Sequence, residues 1–172
     1  MILPSTADKT AGLCMPCKQG TRESMEQSKE FYRKQKEYDP HRELWTYLVK
    51  KAHATDDAFE SLSKEEKIYY AVGVLEGEVY NGGMHQFFSN SSGGLYFEAI
   101  EGLTHLGATK ALWLLRRAAK ILFGSIRPPK DRLQRWEAMK HYPENDSTPL
   151  PEWCVELEEI DKAYWESPDR IN

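Results

Sequence analysis

The sequence predicts an all-α fold: a compact single-domain bundle of about six helices with a Gly/Asn-rich loop at 81–94. Three observations predict it. Apolar residues recur every three or four positions in several segments, which is the helical period. No segment alternates apolar and polar residues over the length of a strand. The 172 residues, 40% of them hydrophobic and 12% aromatic, are enough to bury one core.

The first forty residues contain a predicted leader and a first helix. Residues 1–22 have Pro and Gly at intervals and no apolar period, so they are predicted to be a flexible leader. A helix is expected from Ser24 to about Tyr38. Ser24 would cap its start while Gln27 reaches back to the backbone, which forms a capping box.

Two further helix starts have clear signals. Asp39 is a favoured N-cap and Pro40 suits a first helical turn. Residues 63–66, Ser-Lys-Glu-Glu, form a second capping box, and an apolar stripe follows it. The glycine pair at 82–83 is expected to stop that helix, and the polar, glycine-rich residues up to 94 are expected to form the loop.

The second half of the chain repeats the pattern. Helices are predicted at 95–106, 108–123, 131–139 and 155–165. Gly107 and Gly124 follow two of them, where glycine commonly ends a helix. Residues 23–140 are therefore predicted to form a helical core domain. Residues 141–172 are predicted to form an acidic C-terminal loop and helix packed on that core.

The charge distribution is uneven along the chain. The net charge is −4, but residues 91–140 carry nine Lys/Arg and four Asp/Glu, and residues 141–172 carry two and nine. The basic stretch would suit nucleic acid or an acidic protein, and the acidic stretch would suit a basic partner. Each charge cluster is also what an ordinary solvated helix face contains.

Composition also bears on the compartment. No apolar run approaches the roughly 18 residues that span a bilayer, and the first residues lack the pattern of a signal peptide. Three cysteines make a poor disulfide framework. A cytoplasmic protein without a membrane partner is predicted. Cys14 and Cys17 form half of a zinc site and would need two further ligands, so free thiols are the other interpretation.

No catalytic constellation is evident. His85 has no nucleophile motif beside it, and Glu76 and Glu78 lie about 200° apart around a helix. The chain contains no phosphate loop and no dinucleotide fingerprint. The sequence therefore predicts a protein that is not an enzyme, with no catalytic residue, no metal and no cofactor.

The most unusual segment runs Glu78-Val-Tyr-Asn-Gly-Gly-Met-His-Gln-Phe-Phe-Ser-Asn-Ser-Ser-Gly93. Gln86 and Asn90 can each donate and accept hydrogen bonds, so they could tie the backbone of the segment together or bind a partner. Buried polar groups are nearly always paired, which favours the architectural interpretation.

This segment resembles the bacterial DNA-mimic protein domain family. The resemblance continues through Phe97-Glu-Ala-Ile-Glu-Gly-Leu103 and Leu106-Gly-Ala108, and covers roughly residues 42–140, with the leader and the acidic tail outside it. It implies a compact helical domain. The family's named member imitates DNA with surface carboxylates and sequesters a DNA-binding regulator, and relatives resemble immunity or antitoxin proteins. Residues 91–140 are net basic here, which departs from a dense carboxylate array.

The sequence thus predicts a non-catalytic inhibitor of the immunity or antitoxin type, which occludes a cognate bacterial toxin. One alternative is a DNA-mimic regulator that sequesters a DNA-binding protein. Another is direct nucleic-acid binding through the basic patch at 116–140, which is disfavoured because no recognition helix or stacking platform is evident. Trp153 and Trp165 are expected as anchors. The predicted partner-binding residues are Glu76, Glu78, Asn81, His85, Gln86, Asn90, Glu152, Trp153, Glu156 and Glu159.

Overall fold

The computed structural model describes residues 13–55, 57–143 and 149–167. Parts of the predicted leader (1–12), of the irregular segment (144–148) and of the acidic tail (168–172) lie outside the described residues. The α-helices are α1 Met15–Lys18, α2 Arg22–Lys34, α3 Pro40–Ala52, α4 Lys64–Ser89, α5 Tyr96–His105, α6 Thr109–Phe123, α7 Arg132–Ala138 and α8 Glu152–Trp165. The structure also contains two short 3-10 helices, Ala58–Ser61 and Ser91–Leu95, and the described chain contains no strand.

The all-α prediction is confirmed, although the structure has eight α-helices where the sequence predicts about six. The chain divides into two units, Met1–Thr46 and Tyr47–Asn172. The one-turn helix α1 lies within the predicted leader. Helix α2 buries none of its residues, because its apolar content is too thin to form a core-facing stripe.

The start of α2 differs from the prediction. The helix begins at Arg22, so Ser24 lies inside the first turn and does not cap it. Thr21, at the cap position, makes no side-chain hydrogen bond to the helix. The other two starts are confirmed. Asp39 Oδ1 accepts from the His41 N–H at 2.9 Å at the start of α3, and Ser63 forms the full capping box of α4.

The core of the second unit is formed by α4, α5, α6 and α8. Helix α4 packs against α5 and α8, and α6 packs against both α5 and α8. The largest fully buried apolar side chains are Leu48, Leu75, Val79, Met84, Phe87, Phe88, Leu103, Leu114, Leu115, Leu122 and Leu157. Most of them come from the 3.6-residue stripes that the sequence shows on these helices. This core holds the unusual segment in place.

The predicted loop at 81–94 is mostly helical in the structure. Helix α4 bends at Gly82 and Gly83 and then continues to Ser89, and the 3-10 helix Ser91–Leu95 follows. Gly83 has φ 76°, a left-handed conformation that glycine adopts without strain. The glycine pair therefore produces a kink and not a stop, because the buried Met84, Phe87 and Phe88 extend the apolar face beyond it.

Candidate functional site

The kink in α4 is stabilised by two side chains from α8. The bend lies between Val79 and Met84, at Gly82 and Gly83, whose backbone angles are not helical. Asp161 Oδ1 accepts the Met84 N–H at 2.7 Å, and Trp165 Nε1 donates to the Val79 carbonyl at 3.1 Å. Helix α8 thus makes hydrogen bonds to the backbone of α4 on both sides of the bend.

Asp161 lies against the glycine that makes the bend. A Cβ atom at Gly83 would lie 2.3 Å from Asp161 Oδ2, so a side chain at Gly83 and the carboxylate cannot share this space. Burial raises the pKa of Asp161 from 3.8 to about 6, against the opposing effect of the hydrogen bond from Met84. Asp161 therefore caps the helix segment that follows the kink, although burial disfavours its ionised form.

Glu78 accepts hydrogen bonds from three side chains of the unusual segment. Gln86 Nε2 donates to it at 2.7 Å, Asn90 Nδ2 at 3.0 Å and the Ser92 hydroxyl at 2.8 Å. The four side chains tie the part of α4 before the kink to the part after it and to the 3-10 helix. Both amides contact a carboxylate of the same chain, in agreement with the architectural interpretation.

Arg135 of α7 is fully buried and contacts the far end of this segment. Its Nε donates to the Phe88 carbonyl at 2.8 Å, and its Nη2 donates to the Asn90 carbonyl at 2.7 Å. Its Nη1 donates to the carbonyls of Pro129 and Lys130 at 3.2 and 2.7 Å. The guanidinium therefore caps the carbonyl end of α4, where helix carbonyls lack partners.

Sequence reasoning assigned Arg135 to a basic surface patch, and the structure contradicts this placement. Gly93 explains how a guanidinium fits in the core, since a Cβ at Gly93 would lie 2.6 Å from Arg135 Nε and 2.9 Å from the Phe88 carbonyl. The glycine at 93, like the one at 83, therefore leaves room for a charged group that caps a helix end.

A family model for DMP19-like proteins, named after DNA mimic protein 19, matches residues 60–172. The chain belongs to the DMP19-like family. The predicted resemblance to DNA-mimic proteins is thereby confirmed; the matched residues differ from the predicted 42–140, since the match begins later and includes the acidic tail. The hydrogen bonds from Asp161 and Trp165 to α4 explain why α8 belongs to the same structural unit. Neither the curated proteins nor the solved structures contain a match.

The other predicted partner-binding residues of the α4 segment, Glu76, Asn81 and His85, do not share one environment. Glu76 is buried and Asn81 is exposed. His85 is half-buried, its ring lies 4.9 Å from that of Tyr142, and its Nε2 is buried without a hydrogen-bond partner. Burial, with a contribution from nearby His141, lowers the pKa of His85. Sequence reasoning did not identify Asp161, Ser92 or Arg135 as residues whose hydrogen bonds hold this segment in place.

The second predicted cluster lies on α8. Glu152, Glu156 and Glu159 fall within an arc of about 60° around the helix, opposite the buried Cys154 and Leu157. Glu156 forms an ion pair with Arg117 of α6. Trp153 is half-buried, 5.2 Å from the ring of Tyr142, so it packs within the protein as much as it faces solvent. We call the glutamates 152, 156, 158, 159 and 166 the α8 acidic face; Glu158 lies at its edge, about 120° around the helix from Glu152 and next to the buried side.

Beside the α8 acidic face lies a surface groove of about 350 Å³. Its lining residues come from α6 and α8: Trp113, Leu114, Arg117, Glu156, Glu159, Ile160 and Ala163. Trp113 is 61% exposed, which is unusual for a residue that is large and apolar. The groove combines an exposed aromatic ring with a charged rim.

The structure reduces the predicted basic patch at 116–140. Arg135 is buried, Arg117 pairs with Glu156, and the Lys130 ammonium lies 3.6 Å from Glu98. Lys120 donates to the Gly124 carbonyl that ends its own helix. Arg116, Arg127, Arg132 and Lys140 remain exposed. They do not amount to the array of cations that tight phosphate binding requires.

Among the described residues, no group of three or more His, Cys, Asp or Glu side chains could hold a metal ion. No helix in the described part of the chain is long and apolar enough to cross a membrane.

Proposed function

We propose that this protein is a non-catalytic cytoplasmic DNA mimic, which binds the DNA-contacting surface of another protein through the α8 acidic face. The observation that carries the proposal is the exposure of this face on a helix whose opposite side is buried. Glu152, Glu158, Glu159 and Glu166 are exposed, while Asp161 and Trp165 fix α8 to the kink of α4. Membership of the DMP19-like family supports the same function.

The charge spacing supports mimicry of one DNA strand. Five glutamates lie between residues 152 and 166, a span of about 21 Å along the helix axis, so their mean axial spacing is about 5 Å. One strand of duplex DNA carries a phosphate charge about every 3.4 Å. Lys162 and the Arg117 ion pair lower the net density. The face thus matches a single strand better than a whole duplex.

The partner's chemistry follows from this face. A protein that binds phosphates presents Lys and Arg along a track, and such a surface would be attracted to α8 at low salt. The attraction between exposed charges should weaken as salt screens them. Duplex DNA should also compete, because it would occupy the same surface of the partner.

The test is capture of partners from a bacterial lysate on the immobilised protein, followed by elution with duplex DNA. A DNA-binding protein released by DNA and by raised salt would support the proposal. The matched pair of variants is Glu152→Gln/Glu158→Gln/Glu159→Gln on α8 and Glu23→Gln/Glu43→Gln/Glu137→Gln elsewhere. Each removes three exposed carboxylates, and only the α8 variant should lose the partner. Equal retention by both would refute the proposal.

An inhibitor of the immunity or antitoxin type is the second candidate, and the groove beside the α8 acidic face favours it. An exposed tryptophan within a charged rim is typical of an interface hot spot, where apolar burial gives tight, salt-resistant binding. Here a toxin-like protein should stay bound in high salt, ignore duplex DNA, and be lost with Trp113→Ala. Recovery of nucleic acid alone would instead support the third alternative, direct binding through Arg116, Arg127 and Arg132.

A further inference from the structure

Two cysteines lie together near the start of the described chain, outside the residues that match the family. The segment reads Cys14-Met15-Pro16-Cys17, with Cys14 immediately before α1. Both cysteines are half-buried and free. Arg22 Nη2 donates to Cys14 Sγ at 3.5 Å, and Cys17, three residues along the chain, also lowers the pKa of the Cys14 thiol. Cys14 Sγ is therefore surrounded by donors that stabilise a negative charge.

The consequence is a thiol that ionises near neutral pH. The hydrogen bond from Arg22, followed by those from Cys17, lowers the pKa of Cys14 from 9.0 to about 7. The reactive form of cysteine is the thiolate, so a large fraction of Cys14 is reactive at neutral pH. The same contacts raise the pKa of the Arg22 guanidinium.

Cys154 provides the contrast within the same molecule. It lies on α8 and is fully buried, and this burial raises the pKa of its thiol. A buried thiol with a raised pKa is inert towards exchange and alkylation. The chain thus contains a reactive cysteine pair and a built-in unreactive reference.

We propose that Cys14 and Cys17 form a reversible redox site, which a small-molecule disulfide of the glutathione type oxidises to an intramolecular disulfide. The Cys14 thiolate attacks one sulfur of the oxidised reagent, the S–S bond of the reagent breaks, and one thiolate leaves. Cys17 then loses its proton to solvent and attacks Cys14 Sγ of the mixed disulfide, and the second thiolate leaves. The protein loses two electrons and two protons, and the reagent becomes two thiols.

The geometry favours a disulfide over a zinc site. Cys17 lies only three residues from Cys14 and its thiol lowers the pKa of Cys14, so the second attack needs no distant resolving thiol. A structural zinc ion needs four ligands, and in the described residues no third His, Cys, Asp or Glu joins this pair in a group that could hold a metal. The site belongs to the Met1–Thr46 unit, whereas the α8 acidic face on which the proposed function rests belongs to the other unit.

The first experiment equilibrates the whole protein at pH 7 with reduced and oxidised glutathione at several ratios. Mass spectrometry after acid quenching and alkylation then locates the modified cysteines. We expect a disulfide between Cys14 and Cys17 that dithiothreitol reverses, with Cys154 still reduced. No modification in excess oxidised glutathione, or oxidation that starts at Cys154, would overturn the proposal.

Substitutions separate the two steps. Cys17→Ser should stop at a stable mixed disulfide that carries one glutathionyl group on Cys14, and Cys14→Ser should leave Cys17 largely unmodified. Arg22→Gln should slow alkylation of Cys14 at pH 7 by roughly threefold to tenfold, because less thiolate is present. Arg33→Gln, on the same helix and paired with Glu30, is the matched control. Equal slowing by both arginine variants would contradict the role of Arg22.

Discussion

The two ends of the segment Met84–Ser89 are both capped by buried charged residues, but in different ways. At its start, Asp161 accepts a hydrogen bond from the Met84 N–H, and burial raises the pKa of the carboxyl. At its end, Arg135 donates to the Phe88 and Asn90 carbonyls, and also to those of Pro129 and Lys130 before α7. Each charge has the sign that suits its end of a helix.

The difference between the two caps indicates under which condition a buried charge contributes to stability. Desolvation penalises both groups, and only hydrogen bonds offset that penalty. The guanidinium has many donors to satisfy and the structure supplies four acceptors, whereas Asp161 remains partly uncompensated and holds its proton more tightly. Removing the arginine should therefore be much more harmful than neutralising the aspartate.

The largest effect is expected for Arg135→Met. Four carbonyls lose their donor, and the buried Phe88 carbonyl cannot turn to water. The free energy of unfolding should fall by about 3–5 kcal/mol, measured by urea denaturation. Arg132→Met is the control, since that side chain is exposed on the same helix and should change stability by less than about 0.5 kcal/mol. Similar stability in the two variants would mean that Arg135 is not a structural cap.

Asp161→Asn tests the other end through pH. The folded protein binds the Asp161 proton more tightly than the unfolded chain does, because burial raises the pKa to about 6. The stability from this group is therefore fully present below the ordinary pKa of 3.8 and is lost as the pH rises to about 6. Asparagine can accept the same hydrogen bond without charge. The stability of wild type relative to Asp161→Asn should decrease by about 2 kcal/mol between pH 4 and pH 7.

The measurement is urea denaturation of both proteins across that pH range. Taking the difference between them removes the contribution of the surface carboxylates, several of which have lowered pKa values. Asp161→Ala is the control that removes the acceptor, and it should destabilise at every pH because the Met84 N–H is left buried and unpaired. A pH-independent difference between wild type and Asp161→Asn would contradict the buried-carboxylate interpretation.

Gly93→Ala probes the space that Arg135 occupies. The new methyl group would press on Arg135 Nε and on the Phe88 carbonyl, so stability should fall by about 1–3 kcal/mol. Gly94→Ala is a close control, because the nearest atom to a Cβ there is the Lys130 carbonyl oxygen at 3.4 Å. Thermal unfolding followed by circular dichroism compares the two. A larger loss at Gly94 would show that the packing around Arg135 is misassigned.

The sequence allowed the helices to be predicted wherever a local signal decides the structure. Ser63 and Glu66 form their capping box, and Gly124 ends α6 in a left-handed conformation, because both signals act within a single turn. The kink at Gly82 and Gly83 was predicted as a helix stop. Two glycines favour a bend, but whether the helix resumes depends on partners from α8, almost eighty residues away.

The candidate site shows the same limit. The period of α8 places Asp161 on one face with the buried Leu157 and Tyr164, so its spacing did carry a signal that the acidic composition obscured. Arg135 had no such signal, since it lies in a basic helix with other arginines. Only the tertiary structure shows that its acceptors are backbone carbonyls, which have no signature in the sequence.

Trp165→Phe gives the smallest expected effect and sharpens the comparison within the start of the segment. The variant keeps a ring on α8 but removes the Nε1 donor to the Val79 carbonyl. Trp165 is about half exposed, so water can replace the lost donor, and the expected loss is about 0.5–1.5 kcal/mol. The readout is urea denaturation followed by far-ultraviolet circular dichroism, because four other tryptophans complicate fluorescence. Trp136→Phe, exposed on α7, is the control. A loss comparable with that of Asp161→Ala would mean that the indole and the carboxylate hold the kink equally, and that burial of the bonded atoms does not set their contributions.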